Sequence, residues 1–376
     1  IEATRRLQKC LGPGDVLART GGDEFAILIK ESLGQHRRLE EVVHQASHAF
    51  SSPMLLHGTT IHVTVSVGGC RAPKHAHTVA GVLACLDIAL HEAKRLGRGH
   101  SVFYKEKLGL EAKRHHLLEQ DLERAVEQQQ FVVFYQPIVS ALTERIVGCE
   151  ALVRWMHPER GLIPPSEFID IAEDSNLIVP LGRQVLAAAS RQMGEWQSQY
   201  GISFHLSVNI SPKQFADAGL LDALAEAMSS NGLREKTLQV ELTESHLKGN
   251  GEQLQALLRQ IRGLGAAIAI DDFGTGYSSL SRLRSYPIDC LKVDRSFVRN
   301  VLDDPDDAAI CRTILVLAKN LNLKVVAEGV ESVGQADFLR EHGCDEAQGF
   351  LYGKPMSAED FSLILSDRFP QLRLAI

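Results

Sequence analysis

The chain is poor in the features that build disulfide frameworks, zinc sites and membrane spans. Its 376 residues include seven cysteines, an odd number, and no two of them stand as CxxC. That spacing argues against a disulfide-stapled scaffold or a zinc site and sets the expectation of a reducing cytoplasm. The fifteen histidines are scattered, without HExxH or a close ligand pair. No apolar run approaches the roughly 20 residues that cross a bilayer, and the first residues show no signal-peptide pattern. No membrane contact is therefore expected within this fragment. The chain opens on Ile1 rather than Met, so a longer parent is expected, one able to carry an anchor upstream. No Pro-rich or Ser-rich linker divides the sequence.

Excess positive charge is lacking too. The net charge is −7, with 40 Lys and Arg against 47 Asp and Glu. The balance is uneven: residues 1–107 hold 14 basic against 10 acidic residues, and residues 108–376 hold 26 against 37. A basic stripe for long nucleic acid is not expected from such a distribution. The acidic excess of the second part suits metal sites, as it would an ordinary solvated surface.

What is present falls into two regions. In residues 1–107, "DVLARTGGDEFAILIK" places two apolar runs around a Gly-Gly turn, which predicts a β-hairpin. A helix is expected around residues 37–50, then a strand "TIHVTVSVGG" with period-two alternation, then a helix "VAGVLACLDIALHEAKRLGRG" stopping at Gly97. This reads as part of an α+β sandwich. A charged connector, "EAKRHHLLEQDLERAVEQQQ", carries Leu117, Leu118, Leu122, Ala125 and Val126 as a helical stripe and predicts a packed helix.

Residues 108–376 alternate apolar strands with amphipathic helices. Eight strands are predicted: "FVVFYQPIV", "RIVGCEALVRW", "SFHLSVNIS", "TLQVELTES", "AAIAIDDFG", "IDCLKVD", "LKVVAEGVE" and "EAQGFLYG". Repeated βα units over this length suggest a (β/α)₈ barrel or a doubly wound sheet, and eight strands favour the barrel. Six of the strands finish in a group able to bind a cation or handle a proton: Glu150, Asn209, Glu241, Asp271 with Asp272, Lys292 with Asp294, and Glu328 with Glu331. "EAQGF" adds Gln348. In a βα barrel these ends meet on one face, where active sites lie. Any one of them alone would read as a helix cap or a surface acid; the same ending on six strands does not.

Converging carboxylates need a counter-charge. With no clustered His or Cys, an all-oxygen set with one amide suits a hard cation such as Mg²⁺ or Mn²⁺. The adjacent acids in "AIAIDDFGTGYSSL" are then intelligible, one bridging two ions and its neighbour binding the second. Two metals about 3.5–4 Å apart activate water and stabilise the leaving oxygen of a phosphate ester.

The motifs "CEALVRW", "SVNIS", "ELTES", "DDFGTGYSSL", "LKVD", "AEGVE" and "AQGF" resemble, in order and spacing, those of the EAL family of cyclic-di-GMP phosphodiesterases. The resemblance covers roughly residues 112–376 and implies a TIM-like (β/α)₈ barrel that opens cyclic-di-GMP to linear pGpG. By motif, Glu150, Asn209, Glu241 and Asp271 resemble the ligands of a first metal, Asp271 and Asp272 those of a second. Lys292 resembles the lysine near the attacking water, and Glu328 a glutamate used for metal binding or as base, with Glu331 beside it as a supporting site residue in a catalytic role. Arg154 resembles the arginine that meets substrate phosphate, and Gln348 and Asp294 are placed with it toward substrate. Phe273, Gly274, Thr275, Gly276, Tyr277 and Ser278 resemble the loop that links dimerisation to metal binding, which implies a homodimer. Ca²⁺ is expected to bind and inhibit. A silent cyclic-di-GMP receptor is the alternative.

Residues 1–107 resemble the C-terminal part of a GGDEF diguanylate cyclase domain. Gly21, Gly22, Asp23, Glu24 and Phe25 form the signature, and Lys94 and Arg98 match the family's phosphate-contacting pair, implying GTP as a ligand of this remnant. The family's upstream metal-binding Asp would precede Ile1, and "GPGD" keeps Asp15 of the inhibitory RxxD motif without its arginine. The region is expected to be non-cyclising as it stands and regulatory; a longer parent that both makes and cleaves the dinucleotide is a further alternative.

Overall fold

The computed structural model describes residues 2–31, 38–56, 59–97, 99–201, 204–244, 251–275 and 280–368. It divides into two compact units, Ile1–Leu117 and Leu118–Ile376.

In the first unit, α1 (Glu2–Gln8) precedes the hairpin of β1 (Val16–Gly21) and β2 (Glu24–Leu28), which pair antiparallel around Gly22 at φ +42°. That backbone is strained for residues with a Cβ, which explains the glycine at the tip. Helix α2 (Arg38–His48) follows, then β3 (Met54–Leu56) paired antiparallel with β4 (Thr59–Ile61). The expected single strand over "TIHVTVSVGG" is divided: residues 62–66 join no ladder, and β5 (Val67–Gly69) pairs in parallel with β6 (Ser101–Phe103). The alternation is nonetheless used, because Val63 and Val65 pack on Leu7, Ala46 and Phe50. Side-chain period reports the buried face; a ladder also requires a partner. Helix α3 (Val79–Arg95) starts on the Thr78 hydroxyl, which accepts from the Gly81 N–H, and ends before Gly97 at φ +107°. The carboxylate of Asp15 accepts from the N–H groups of Gly12 and Lys30 and pairs with Arg38.

Helix α4 (Glu106–Glu127) contains the unit boundary. In its second half Leu118, Leu122, Ala125 and Val126 are buried against Trp155, Phe168 and Leu181. Leu117, expected in this stripe, is instead 46% exposed. The spacing 118, 122, 125 and 126 follows one helical face, and residue 117 lies about 100° away from it.

The second unit is a closed barrel. Its strands are β7 (Phe131–Ser140), β8 (Ile146–His157), β9 (Gly161–Ile163), β10 (His205–Asn209), β11 (Leu238–Thr243), β12 (Ala267–Phe273), β13 (Cys290–Val293), β14 (Lys324–Ala327) and β15 (Glu346–Gln348). They run β10-β11-β12-β13-β14-β15-β7-β8-β9, and β10 also pairs with β8, which closes eight strands and leaves β9 as a hairpin extension. The regular βα repeat fails once. Strand β7 is antiparallel to both β8 and β15. Only residues 141–145 join β7 to β8, too few for a parallel crossover, which needs about a dozen residues.

Alternation then sorts the side chains. On β11, Leu238, Val240 and Leu242 join the shell between strands and helices, and Glu241 takes the other face. Ile138, Ala269, Cys290 and Val326 fill the barrel's middle. Around it stand α6 (Ile178–Tyr200), α8 (Leu220–Ser230), α9 (Gly251–Gly263), α12 (Pro305–Asn320), α13 (Val333–Glu341) and α14 (Ala358–Arg368), with the shorter α5 (Ile169–Asp174), α7 (Pro212–Phe215), α10 (Leu280–Ser285) and α11 (Arg295–Arg299) in the loops. Trp196 of α6 is fully buried, meets Tyr135 edge-on at 4.7 Å and donates to the Ser362 hydroxyl of α14 at 2.8 Å.

Candidate metal centre and active site

The strand ends converge on one buried ammonium. Lys292, in β13 and 0% exposed, places Nζ 2.6 Å from Glu328, 2.7 Å from Glu241, 3.4 Å from Asp271 and 3.6 Å from Glu150. Burial disfavours its charge, but Glu150, Glu241, Glu328 and Asp271 outweigh burial and raise its pKa above the ordinary lysine value. These groups come from β8, β11, β12, β13 and the end of β14.

One ammonium does not balance the acids around it. Burial pushes the Glu241 carboxyl well above the usual range, with Glu150 and Asp271 adding to the effect against Lys292. Burial likewise lifts Glu328 to about 8, opposed by Lys292 and reinforced by Asp271 and Glu150. Asp272 is raised to about 6 by burial, by Asp271 and by Asp294. Carboxyls driven upward together in one cleft mark a cation site or an acid–base site.

Oxygens of Asp271, Asp272 and Glu328 lie within 4.8 Å of one another, a set that could hold a metal ion. Asn209 donates its amide to Glu150 Oε1 at 2.7 Å, and Gln348 donates to Glu150 Oε2 at 2.7 Å. Among the described residues, Glu241 Oε1 and Gln348 Oε1 are buried acceptors with no hydrogen-bond partner. An uncompensated buried oxygen is costly, and a hard cation or its water is the partner that such a donor set fits.

Asp272 has φ +52°, which turns the chain directly after Asp271, and its N–H donates to Asp271 Oδ1 at 2.9 Å. The loop beyond is held from below. The Gly274 N–H donates to Glu244 Oε2 at 3.2 Å, and the Thr275 hydroxyl donates to the Asp272 carbonyl at 2.8 Å. Gly274 has φ +103°, and a Cβ there would come within 2.8 Å of Phe297. Phe273 is buried; Gly276, Tyr277 and Ser278 lie outside the described residues.

The other sequence-derived candidates fall into place unevenly. Asp294 caps α11 by accepting from the Ser296 N–H at 3.0 Å, and its carboxyl lies against Asp272. Arg154 sets its guanidinium 5.4 Å over the Phe134 ring and donates to the Val153 carbonyl, and burial lowers its pKa. Glu331 is exposed, and among the described residues no ion pair or hydrogen bond ties its carboxylate to the Lys292 cluster. In the first unit, Gly21, Gly22, Asp23 and Glu24 form the hairpin tip, Phe25 packs on the small core of Leu7 and Phe50, and Lys94 pairs with Glu24 at 3.7 Å. Arg98 lies outside the described residues.

Two residues escaped the sequence reading. Glu244, three positions after Glu241, supports Gly274; its place in "ELTES" was the available signal. Gln136, on β7, accepts from Gln348 at 3.0 Å and had only its inward register to announce it.

Comparison with known proteins agrees with this geometry. The family model described as EAL domain matches residues 119–355, and that described as Diguanylate cyclase, GGDEF domain matches residues 1–100. The chain is 38% identical, over 96% of its length, to the bifunctional diguanylate cyclase/cyclic di-GMP phosphodiesterase MucR of Pseudomonas aeruginosa, of which it covers 52%. It is 39% identical, over 94% of its length, to the cyclic di-GMP phosphodiesterase PdeR of Escherichia coli, of which it covers 53%. It thus spans about half the length of these curated relatives. Among solved structures, the P. aeruginosa MucR phosphodiesterase in complex with c-di-GMP is 44% identical, with a TM-score of 0.63, covering 65% of this chain and 99% of that one. The eight-stranded barrel, its carboxylate-lined mouth and these matches lead to one conclusion: the chain belongs to the EAL domain family, and a region matching the GGDEF domain precedes its barrel.

Proposed function

We propose that this chain is a cyclic-di-GMP phosphodiesterase that hydrolyses the dinucleotide to linear 5′-pGpG with two divalent cations. The carrying observation is the cluster of five carboxylates, Glu150, Glu241, Asp271, Asp272 and Glu328, about the single ammonium of Lys292. The relatives named as cyclic di-GMP phosphodiesterases and the c-di-GMP complex of MucR support this choice of substrate.

Glu150, Asn209, Glu241 and Asp271 would hold one ion, and Asp271, Asp272 and Glu328 the other. Bound Mg²⁺ or Mn²⁺ supplies an activated water and charge stabilisation at the phosphate. The chain's own residues prepare that chemistry. Lys292 keeps four carboxylates aimed at one point and offers positive charge where negative charge develops. Glu328, lifted to about 8 in the metal-free site, gives up that proton where it ligates the ion and takes or returns one only where it stands off the metal. Arg154 presents a planar fork suited to phosphate, and Asp294 and Gln348 complete the site toward substrate, with Glu331, exposed beyond the cluster, as the candidate for a supporting catalytic role. Residues 273–278 are the segment through which a homodimer would act on Asp272.

We propose the functional boundary at 107/108, in the first turn of α4 and upstream of the division between compact units at 117/118. GTP contacts are placed at Lys94 and Arg98 in a regulatory remnant; the matched segments end at 100 and resume at 119. No helix among the described residues is long and apolar enough to cross a membrane. The proposed setting is the cytoplasm, whose reducing conditions suit seven free cysteines. The test is direct. Purified protein with Mg²⁺ or Mn²⁺ should release pGpG, EDTA should stop it, and Ca²⁺ should bind with little turnover. Tight binding without product would replace this reading with a receptor.

A further inference from the structure

We infer that Gln136 is a positioning residue that fixes which way the Gln348 amide faces, and so holds Glu150 in place and leaves Gln348 Oε1 as an acceptor for the reaction. The inference rests on the functional reading above, but its geometry stands independently. Three links form one chain of hydrogen bonds. Gln136 Nε2 donates to the Gly353 carbonyl at 3.0 Å, Gln348 Nε2 donates to Gln136 Oε1 at 3.0 Å, and the same Nε2 donates to Glu150 Oε2 at 2.7 Å.

Both ends of this chain are acceptors. A backbone carbonyl has no proton to give, so the Gln136 amide must turn its NH₂ toward Gly353 and its oxygen toward Gln348. Facing that oxygen on one side and Glu150 on the other, Gln348 must spend both N–H bonds inward. Its Oε1 is then left over, buried and without a hydrogen-bond partner among the described residues. Reversing Gln348 would set oxygen against oxygen twice, and reversing Gln136 would set oxygen against the Gly353 carbonyl and N–H against the N–H of Gln348, at groups only 8%, 4% and 6% exposed for Gln136, Gln348 and Glu150.

The anchor is itself built. Tyr135 and Met356 exchange N–H···O=C bonds of 2.7 and 3.0 Å, pinning the segment after β15 to β7. Gly353 passes so close that a Cβ there would lie 2.8 Å from the Pro137 ring. That close approach brings the Gly353 carbonyl within reach of a side chain 217 positions earlier.

The experiment compares wild type, Gln136→Met and Gln136→Glu, using selective ¹⁵N-glutamine labelling, with Gln348→Glu to identify the Gln348 NH₂ resonances. Gln136→Met removes both links and should move those resonances. With Mg²⁺ it should lower kcat about tenfold, the low end of the loss for an outer partner of a metal ligand, because Gln136 reaches Glu150 only through Gln348, with KM within about twofold. Gln136→Glu, kept protonated by burial beside these acids, gives its O–H to the Gly353 carbonyl and keeps an acceptor for Gln348, so it should hold the resonances near their wild-type positions and recover most of the loss. Unmoved Gln348 resonances in Gln136→Met, or a Gln136→Glu protein as impaired as Gln136→Met, would overturn the inference. A wild-type protein without turnover would end the functional reading instead, while the resonance comparison still decides the amide orientation.

Discussion

The substitution Asp272→Asn separates electrostatic repulsion from metal binding within one residue. Asp272 sits at φ +52°, a left-handed backbone that Asn adopts as readily as Asp. The exchange therefore changes charge while leaving the turn intact. In the folded chain, burial, Asp271 and Asp294 raise the Asp272 carboxyl from 3.8 to about 6. A raised folded pKa means that folding favours the protonated form. The group's contribution is thus fully present below about pH 4 and is lost as pH rises through about 6. At pH 8 the ionised side chain opposes folding by about 1–2 kcal/mol, after discounting for its partial exposure. In EDTA at pH 8, Asp272→Asn should melt about 2–6 °C above wild type, and the difference should vanish near pH 4. Saturating Mg²⁺ or Mn²⁺ should reverse the order, because the ion stabilises the form that keeps its ligand. Turnover should fall at least 10–100-fold. Melting curves with and without metal, read beside pGpG release, decide the matter. An unchanged melting point in EDTA refutes the repulsion, and near-wild-type turnover at saturating metal refutes the ligand role.

Other outcomes follow from the same geometry. Lys292→Met should destabilise the metal-free protein by about 3–5 kcal/mol, since it leaves buried carboxylates without their partner; denaturant melts matching wild type would count against that. Metal binding should release protons below about pH 8 and tighten as pH rises toward it, because Glu328 must ionise to serve as ligand. Titration calorimetry in buffers of different ionisation enthalpy measures this, and proton-neutral binding at pH 7 would contradict it. Gly274→Ala should weaken metal affinity about tenfold or more, as φ +103° and the nearby Phe297 ring both resist a side chain there; isothermal titration of Mn²⁺ is the check.

The eight barrel strands are legible in the amino-acid pattern, whereas β3, β6 and β9 are not, and the run at 60–69 reads as one strand where the structure has two. Period-two alternation is local, so Glu150, Glu241, Lys292 and Gln348 could be assigned to one face of their strands without knowledge of their neighbours. Glu150, expected to finish its strand, lies within β8, because that strand runs on to His157 in its pairing with β7 and β9. The antiparallel β7 is not foreseen among the expected βα units; the structure shows that only five residues join it to β8, too few for a parallel crossover. Tertiary structure decided what local pattern cannot carry. Barrel closure set Lys292 among four carboxylates from four other strands, whereas Glu331, only three positions after Glu328, ended exposed. Gln136 looked like any inward polar residue until the chain returned with Gly353 and Gln348, more than two hundred positions later. Alternation chooses a face of the sheet. Which donor meets which acceptor depends on closure, and closure brings together residues whose separation no local period records.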